Sequence, residues 1–384
     1  MEVVYLDNNA TTAVAPQVLE AMLPYLGDLY GNPSSMHSFG GQVAEAVDTA
    51  REQLAALLGA DPDEIIFTAS GSEGDNAAIW SALQSRPERR HIVTTRVEHP
   101  AVLSVCRYWE TQGYRVTMLG VDNKGRLDLE EYAATLGDDT AIVSIMFANN
   151  EVGNIYPIQQ LAEIARDRGI LFHTDAVQAV GKIPIDLKHL PVDMLSLSGH
   201  KINAPKGIGA LYVRKGVRFR PLLRGGHQER GRRAGTENVP YIVGLGVAAQ
   251  LCAEFMQAER VDVARLRDKL EYGLLERIPE SRVNGDIEHR LPNTSNISFK
   301  NVEGEAILLM LDRLGIAASS GSACTSGSLE PSHVLRAMGV PFNYAHGSIR
   351  LSLSRYNTAE QIDYVLDKFP GVIETLRAIS PFKG

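Results

Sequence analysis

Five short stretches of the chain hold residue types that packing alone does not call for. In "SSGSACTSGS", residues 319 to 328, Cys324 stands among small polar residues. A free cysteine is usually buried as a small hydrophobe, yet this run has neither helical periodicity nor strand alternation. It reads as a mobile, partly exposed loop offering a thiol. Lys201 follows the apolar run "DMLSLSGHK" together with Ser198 and His200. Desolvation at such a place lowers a lysine pKa and makes the amine a Schiff-base former and proton shuttle. Asp175 ends "ILFHTD", where a buried carboxylate without a partner is costly. It calls for a cation or a donor, with Gln178 three residues on. His99 precedes Pro100, a good first helical residue, so its imidazole is free to lie over a ring or act as acid and base. Gly71 and Ser72 open a helix after "IIFTAS", where free backbone N–H groups and the helix dipole favour an anion.

Each feature has a plain alternative: a surface cysteine, a snorkelling lysine, a capping aspartate, a core histidine, a structural turn. Together they match the needs of one cofactor, pyridoxal phosphate, which requires a lysine, a carboxylate for its ring nitrogen, a ring partner and a phosphate cradle.

The elements that must position these groups follow from periodicity. "EIIFTAS", "RHIVTTRVE", "GYRVTMLGV", "TAIVSIMFANN", "GILFHTDAV", "VDMLSLSGH" and "GIGALYV" are apolar strand-like runs. Several lack clean alternation, as expected for strands covered on both faces of a mainly parallel sheet. In such sheets ligands gather beyond the carboxyl ends of the strands, where the polar groups above stand. After about residue 256 the pattern changes to a long charged helix, a few short strands and further helices. This predicts an α/β fold with a large domain over 15–256 and a smaller α+β domain formed by 1–14 with 257–384, the latter carrying the cysteine loop at about 319–330.

Composition narrows the partners. The 384 residues are 44% hydrophobic and 22% charged with net charge -8, which favours a small ligand over nucleic acid or an anionic membrane. Three cysteines without a CxxC pair argue against a disulfide framework or a cysteine-rich zinc site. Cys106 and Cys252 fall in helical patterns and are expected to be buried. The start lacks a signal-peptide pattern, and the most apolar later stretch is interrupted by Gln250 and Glu254, so a cytoplasmic protein is expected.

Longer blocks carry a family resemblance: "YLDNNATT", "GNPSSMHSFG", "VEHPAVL", "ANNEVG", "HTDAVQAVGK", "SLSGHK", "GGHQERGRRAGTEN", "SSGSACTSGSLEPSHVLRAMG" and "SIRLSLSRYNT". They resemble the cysteine desulfurases of the NifS/IscS type in the class V aminotransferase family, most closely the NifS group associated with iron-sulfur supply for nitrogenase. The resemblance implies a pyridoxal-phosphate fold-type I homodimer with a seven-stranded, mainly parallel sheet. It implies that Lys201 joins the cofactor, His99 stacks on its ring, Asp175 pairs its nitrogen, and Asn149 and Gln178 contact ring substituents. The phosphate would be held by Gly71, Ser72, Ser198 and His200, with Thr236 from the neighbouring subunit. Arg350, with Asn149, would bind the carboxylate of L-cysteine. Cys324 would take the sulfur as a persulfide, leaving alanine, and pass it to a scaffold protein of the NifU/IscU type. No permanent metal is implied, though Cys324 is open to transient iron-sulfur ligation. His99 is the expected source of positive charge for the Cys324 thiolate, and the basic run from Arg218 to Arg233 is a candidate contact for an acidic scaffold or the phosphate.

Two positions depart from the family pattern, Val152 and Gly74, and bear on the substrate side of the site. A selenocysteine lyase, an aminotransferase and a non-catalytic module on the same fold are the competing readings. An aminotransferase has no need of Cys324, and a non-catalytic module has none of Lys201.

Overall fold

The computed structural model describes residues 3–320 and 331–380; Cys324 and most of the segment expected to carry it lie outside the described residues. The strands are β1 (Val4–Tyr5), β2 (Ile65–Thr68), β3 (His91–Thr95), β4 (Arg115–Leu119), β5 (Thr140–Ser144), β6 (Leu171–Asp175), β7 (Met194–Ser198), β8 (Gly209–Val213), β9 (Ser281–Val283), β10 (Thr294–Phe299), β11 (Ile316–Ala317) and β12 (Ser348–Ser352). The helices are α1 (Pro16–Leu26), α2 (Ser38–Leu58), α3 (Gly71–Ser85), α4 (Pro100–Thr111), α5 (Leu129–Thr135), α6 (Ile158–Asp167), α7 (Val239–Arg277), α8 (Gly304–Arg313), α9 (His333–Ala337), α10 (Phe342–Ala345) and α11 (Ala359–Ile379).

The seven strand-like runs form one sheet in the order β2-β8-β7-β6-β5-β3-β4, with β8 antiparallel to both neighbours and the remaining pairs parallel. β2, β3 and β5 to β8 are buried throughout, because helices cover both faces. That coverage is the reason their sequences read as continuous apolar runs. The edge strand β4 is more exposed and begins with Arg115, ion-paired to Asp139 at 2.9 Å, a charged side chain of the kind that blunts an open edge.

A second hydrophobic cluster gathers Leu270 and Leu274 of α7, Ile297 and Phe299 of β10, Ile349 and Leu351 of β12, and Phe369 of α11. β9, β10 and β12 make a separate antiparallel sheet there. The chain's start joins this part: β1 pairs in parallel with β11, and Asp7 bridges to Ser352. Residues 334–345, although late in sequence, pack with the larger cluster, including Val334, Leu335 and Ala345.

α7 connects the two clusters. By length and composition it is apolar enough to cross a membrane. Its apolar first half, with Ile242, Leu245, Ala248, Ala249 and Cys252, instead packs into the larger core beside α1 and α2. Its second half is amphipathic and serves the smaller cluster.

Candidate active site

β6 and β7 run in parallel and release their chains at the same end of the sheet, which brings Asp175 beside Ser198, His200 and Lys201. α3 starts there too, capped by Ser70, whose hydroxyl accepts from the Glu73 N–H at 3.1 Å. Gly71 lets that helix start close to the sheet: a Cβ on it would lie 2.6 Å from Val177 Cγ2. The result is a cavity of about 370 Å³ whose wall includes Ser70, Gly71, Ser72, His99, Asp175, Gln178, Ser198, His200, Lys201 and Arg350. Residues from five separate stretches of the sequence thus meet around one space.

Electrostatics differ from group to group. Burial raises the Asp175 pKa to about 6, offset in part by the Val177 N–H, which donates at 2.9 Å, and by the Lys201 charge. A cationic donor placed against Asp175 would therefore be stabilised strongly. His99 accepts the Ala101 N–H on Nδ1 at 3.1 Å, which leaves the ring proton on Nε2. Burial, with Lys201 and His333 nearby, pushes its pKa down to about 4. His99 is therefore a neutral imidazole near pH 7, and the expectation that it supplies positive charge to a thiolate is corrected. His200 is held near 4 by burial and neighbouring lysines, and its Nδ1 lies 3.1 Å from the Thr11 hydroxyl.

Lys201 donates to the carbonyls of Asn9 at 2.6 Å and Ala10 at 2.8 Å. Arg350 ion-pairs with Asp7 at 2.7 Å and donates to the Asn150 carbonyl at 3.1 Å. Its Nε is buried without a hydrogen-bond partner among the described residues.

One residue expected at the cavity of its own chain is not brought to it. Asn149 is fully buried, with its amide spent inside its own turn: Nδ2 donates to the Val97 carbonyl at 3.0 Å, and Oδ1 accepts from the N–H groups of Glu151 and Val152. Its neighbour Asn150 lines the cavity in its place, because adjacent residues of that turn face opposite ways. Thr236, expected to serve the neighbouring subunit's site, is exposed in the segment after β8 and does not line the cavity of its own chain.

The two departures have local reasons. Gly74 lies where α3 crosses β7, and a Cβ there would come within 2.8 Å of Ser196 Oγ. Val152 is buried in the turn against Gly285, away from the cavity.

Of the basic run, Arg230 pairs with Asp63, Arg232 donates to the Asp63 carbonyl, and Arg233 pairs with Glu73 in the first turn of α3. Those three are engaged within the chain. Cys106 and Cys252 are buried and their thiols are pushed up to about 12, so neither is a ready nucleophile.

Sequence reading missed the contribution of residues 7–12 and of Asp75 and Glu98. Asp75 lines the cavity, and burial together with the Asp175 charge raises its pKa. Glu98 is buried beside His99, accepts from Thr95 and the Met146 N–H, and is pushed up to about 8 by burial. The Asn and Thr run in "DNNATT" was the available signal for the first group; nothing local marked Asp75 or Glu98.

A buried carboxylate calling for a cation, a strand-end lysine, a neutral imidazole and a helix N-terminus with hydroxyls beside it together fit pyridoxal phosphate. The fold and site define a pyridoxal-phosphate enzyme. The class-V aminotransferase family model matches residues 4–365. The chain is 65% identical over 383 residues to a cysteine desulfurase of Nostoc sp., covering 100% of this chain and 96% of that protein. It is 60% identical over 380 residues to the cysteine desulfurase NifS of Azotobacter vinelandii, covering 99% and 94%. A solved structure described as a NifS-like protein superposes with a TM-score of 0.92 at 41% identity, covering 97% of this chain and all of that one. Another, SspA in complex with cysteine, has a TM-score of 0.82 at 36% identity, covering 92% and 100%. The chain belongs to the class-V aminotransferase family, among its cysteine desulfurases, and pyridoxal phosphate is its cofactor.

Proposed function

We propose that this protein converts L-cysteine to L-alanine, holds the released sulfur as a persulfide on Cys324, and delivers it to an iron-sulfur scaffold protein of the NifU/IscU type. The convergence of Lys201, Asp175, His99, Ser198, the α3 N-terminus and Arg350 on one cavity is the observation that carries the reading.

When bound, pyridoxal phosphate supplies the electron sink that lets bonds at the substrate's Cα and Cβ break. Lys201 would hold the cofactor through its amine and would be the base placed to take the substrate's Cα proton. Asp175 would face the protonated ring nitrogen, since a buried carboxylate with a raised pKa is favoured by a cationic donor. His99, neutral with its proton on Nε2, presents an apolar ring face and a donor edge. Gly71, Ser72, Ser198 and His200 would hold the phosphate. Arg350, steadied by Asp7 and the Asn150 carbonyl, has N–H groups left for the substrate carboxylate.

Cys324 as thiolate attacks the substrate sulfur. The S–S bond forms, the Cβ–S bond breaks with its electron pair going to the three-carbon fragment, and protonation of that fragment gives alanine. A thiol of the acceptor then takes the outer sulfur in the same manner, which returns Cys324 to the thiolate.

The active unit in this reading is a homodimer, with Thr236 completing the partner's phosphate site. Leu19, Leu23, Leu26, Tyr30 and Met36 form an exposed apolar stretch in the chain's first forty residues, and burial between two copies would account for it. The reading places the protein in the cytoplasm.

The test treats the protein with L-cysteine, alkylates it and maps the peptides. An extra sulfur is expected on Cys324 and none on Cys106 or Cys252. Cys324→Ala should bind cofactor normally while alanine formation falls about 10³-fold, as when a covalent nucleophile is removed. Extra sulfur on another cysteine, or near-normal turnover in the variant, would overturn the proposal.

A further inference from the structure

A second lysine reaches the same network without lining the cavity. Lys182 lies four residues after Gln178, in the turn that follows β6, and its Nζ donates to Gln178 Oε1 at 2.7 Å. Gln178 Nε2 in turn donates to the Asn9 carbonyl at 2.9 Å, an oxygen that also accepts from Lys201. A side-chain amide has an oxygen that accepts and a nitrogen that donates twice. As an ammonium Lys182 can only donate, and the Asn9 carbonyl can only accept, so in that charge state these two neighbours decide which way round the amide stands. One N–H of Nε2 is used on Asn9. The other belongs to a residue on the cavity wall.

We propose that Lys182 is a positioning residue for the cofactor: by holding Gln178 Oε1 it turns the remaining Nε2–H of Gln178 toward the cavity, as a donor to an anionic ring oxygen of pyridoxal phosphate. The inference rests on the reading of Gln178 as a ring contact and adds the group that sets its orientation. Without the ammonium, the amide would be free to turn over and present Oε1, a lone-pair acceptor, to that anionic oxygen. The lysine is kept at a cost. Burial and the charges of Lys201 and Arg350 pull its pKa down to about 7. A side chain held for packing alone would be served better by a methionine of similar length, since burying an ammonium against a neutral amide loses hydration that the single bond does not restore.

The test measures pyridoxal phosphate affinity by equilibrium dialysis of cofactor-depleted protein, with the visible absorption band of the reloaded protein as a second readout. Gln178→Ala and Lys182→Met should each weaken binding about tenfold, the size expected for one well-placed hydrogen bond to a charged group. Both should shift the band in the same direction. The double variant should bind no more weakly than either single one, because both act through one contact. A purely structural role for Lys182 would instead give losses that add. Additive losses, or wild-type affinity in Lys182→Met while Gln178→Ala is weakened, would overturn the inference and leave the role of Gln178 intact. Wild-type affinity in Gln178→Ala would remove the reading beneath it as well. Should Lys182→Met fail to fold, Lys182→Gln replaces it under the same expectations, since its shorter arm does not span to Gln178 Oε1.

Discussion

The two sides of the cavity are built in different ways. One side is made of strand ends and the helix start that follows them: Gly71, Ser72, Asp175, Ser198, His200 and Lys201. Each is placed by the element that runs straight into it, so sheet geometry alone brings them together. The other side is made by residues 7–12 and Arg350, tied across most of the chain. Asp7 and Arg350 are 343 positions apart in sequence, and Asn9 is held by Ser352, Thr294 and Asn293. The first side is a rigid product of the large sheet. The second is a joint between the chain's start, β12 and the smaller cluster. Substitutions on the first should therefore act on the chemical step, and those on the second on substrate binding.

The largest effect separating the two sides is expected at Lys201. Lys201→Ala should lower alanine formation by on the order of 10⁴-fold and abolish the visible band of the holoenzyme, because no other group replaces its amine. Borohydride reduction and peptide mapping of the wild type should place the cofactor on Lys201; a label on Lys182 or Lys206 would break the account of the strand-end side. Asp175→Asn comes next, lowering kcat about 10²-fold with little change in KM, since a neutral amide does not hold a protonated ring nitrogen. An equal rise in KM would blur the distinction between the sides.

Across the joint, Asp7→Asn should do the reverse. The guanidinium of Arg350 keeps its carbonyl contact but loses its ion pair, so KM for cysteine should rise about tenfold while kcat changes little. A fall in kcat with unchanged KM would mean that Asp7 serves the chemistry itself.

The smallest effect concerns stability beneath the strand-end side. Glu98 has a folded pKa near 8 against an ordinary 4.5, so the folded state keeps a proton that the unfolded chain releases. Stability from that proton is present below the unfolded value and is lost as pH rises through about 8. Between pH 7 and 9 the loss is about 1.4 kcal/mol for one group of this kind. Urea unfolding at these two pH values should show a decline in the wild type that Glu98→Gln flattens, and an identical decline in both would assign it to another group.

How far the sequence reached follows the same division. The seven strands, the mainly parallel sheet and the positions of Lys201, Asp175, His99 and the α3 start were legible, because burial on both faces imposes an apolar run and the polar residue ending it stands out locally. Asn149 and Asn150 show the limit. Both stand in "ANNEVG", and only the turn's hydrogen bonds decide that Asn149 is spent internally while Asn150 faces the cavity. The charge of His99 was equally out of reach. A histidine's type is written in the sequence, but its pKa near 4 comes from burial and from Lys201 and His333, brought close by folding.

The sequence by itself determined the elements, the cofactor class and the residues able to do chemistry, since these rest on local pattern and side-chain type. Only the tertiary structure decided which of those residues meet, which carry charge, and that the chain's first dozen residues hold Lys201, Gln178 and Arg350 in place. The physical reason is that hydrogen-bond partnership and desolvation depend on neighbours hundreds of positions away, and no local pattern encodes them.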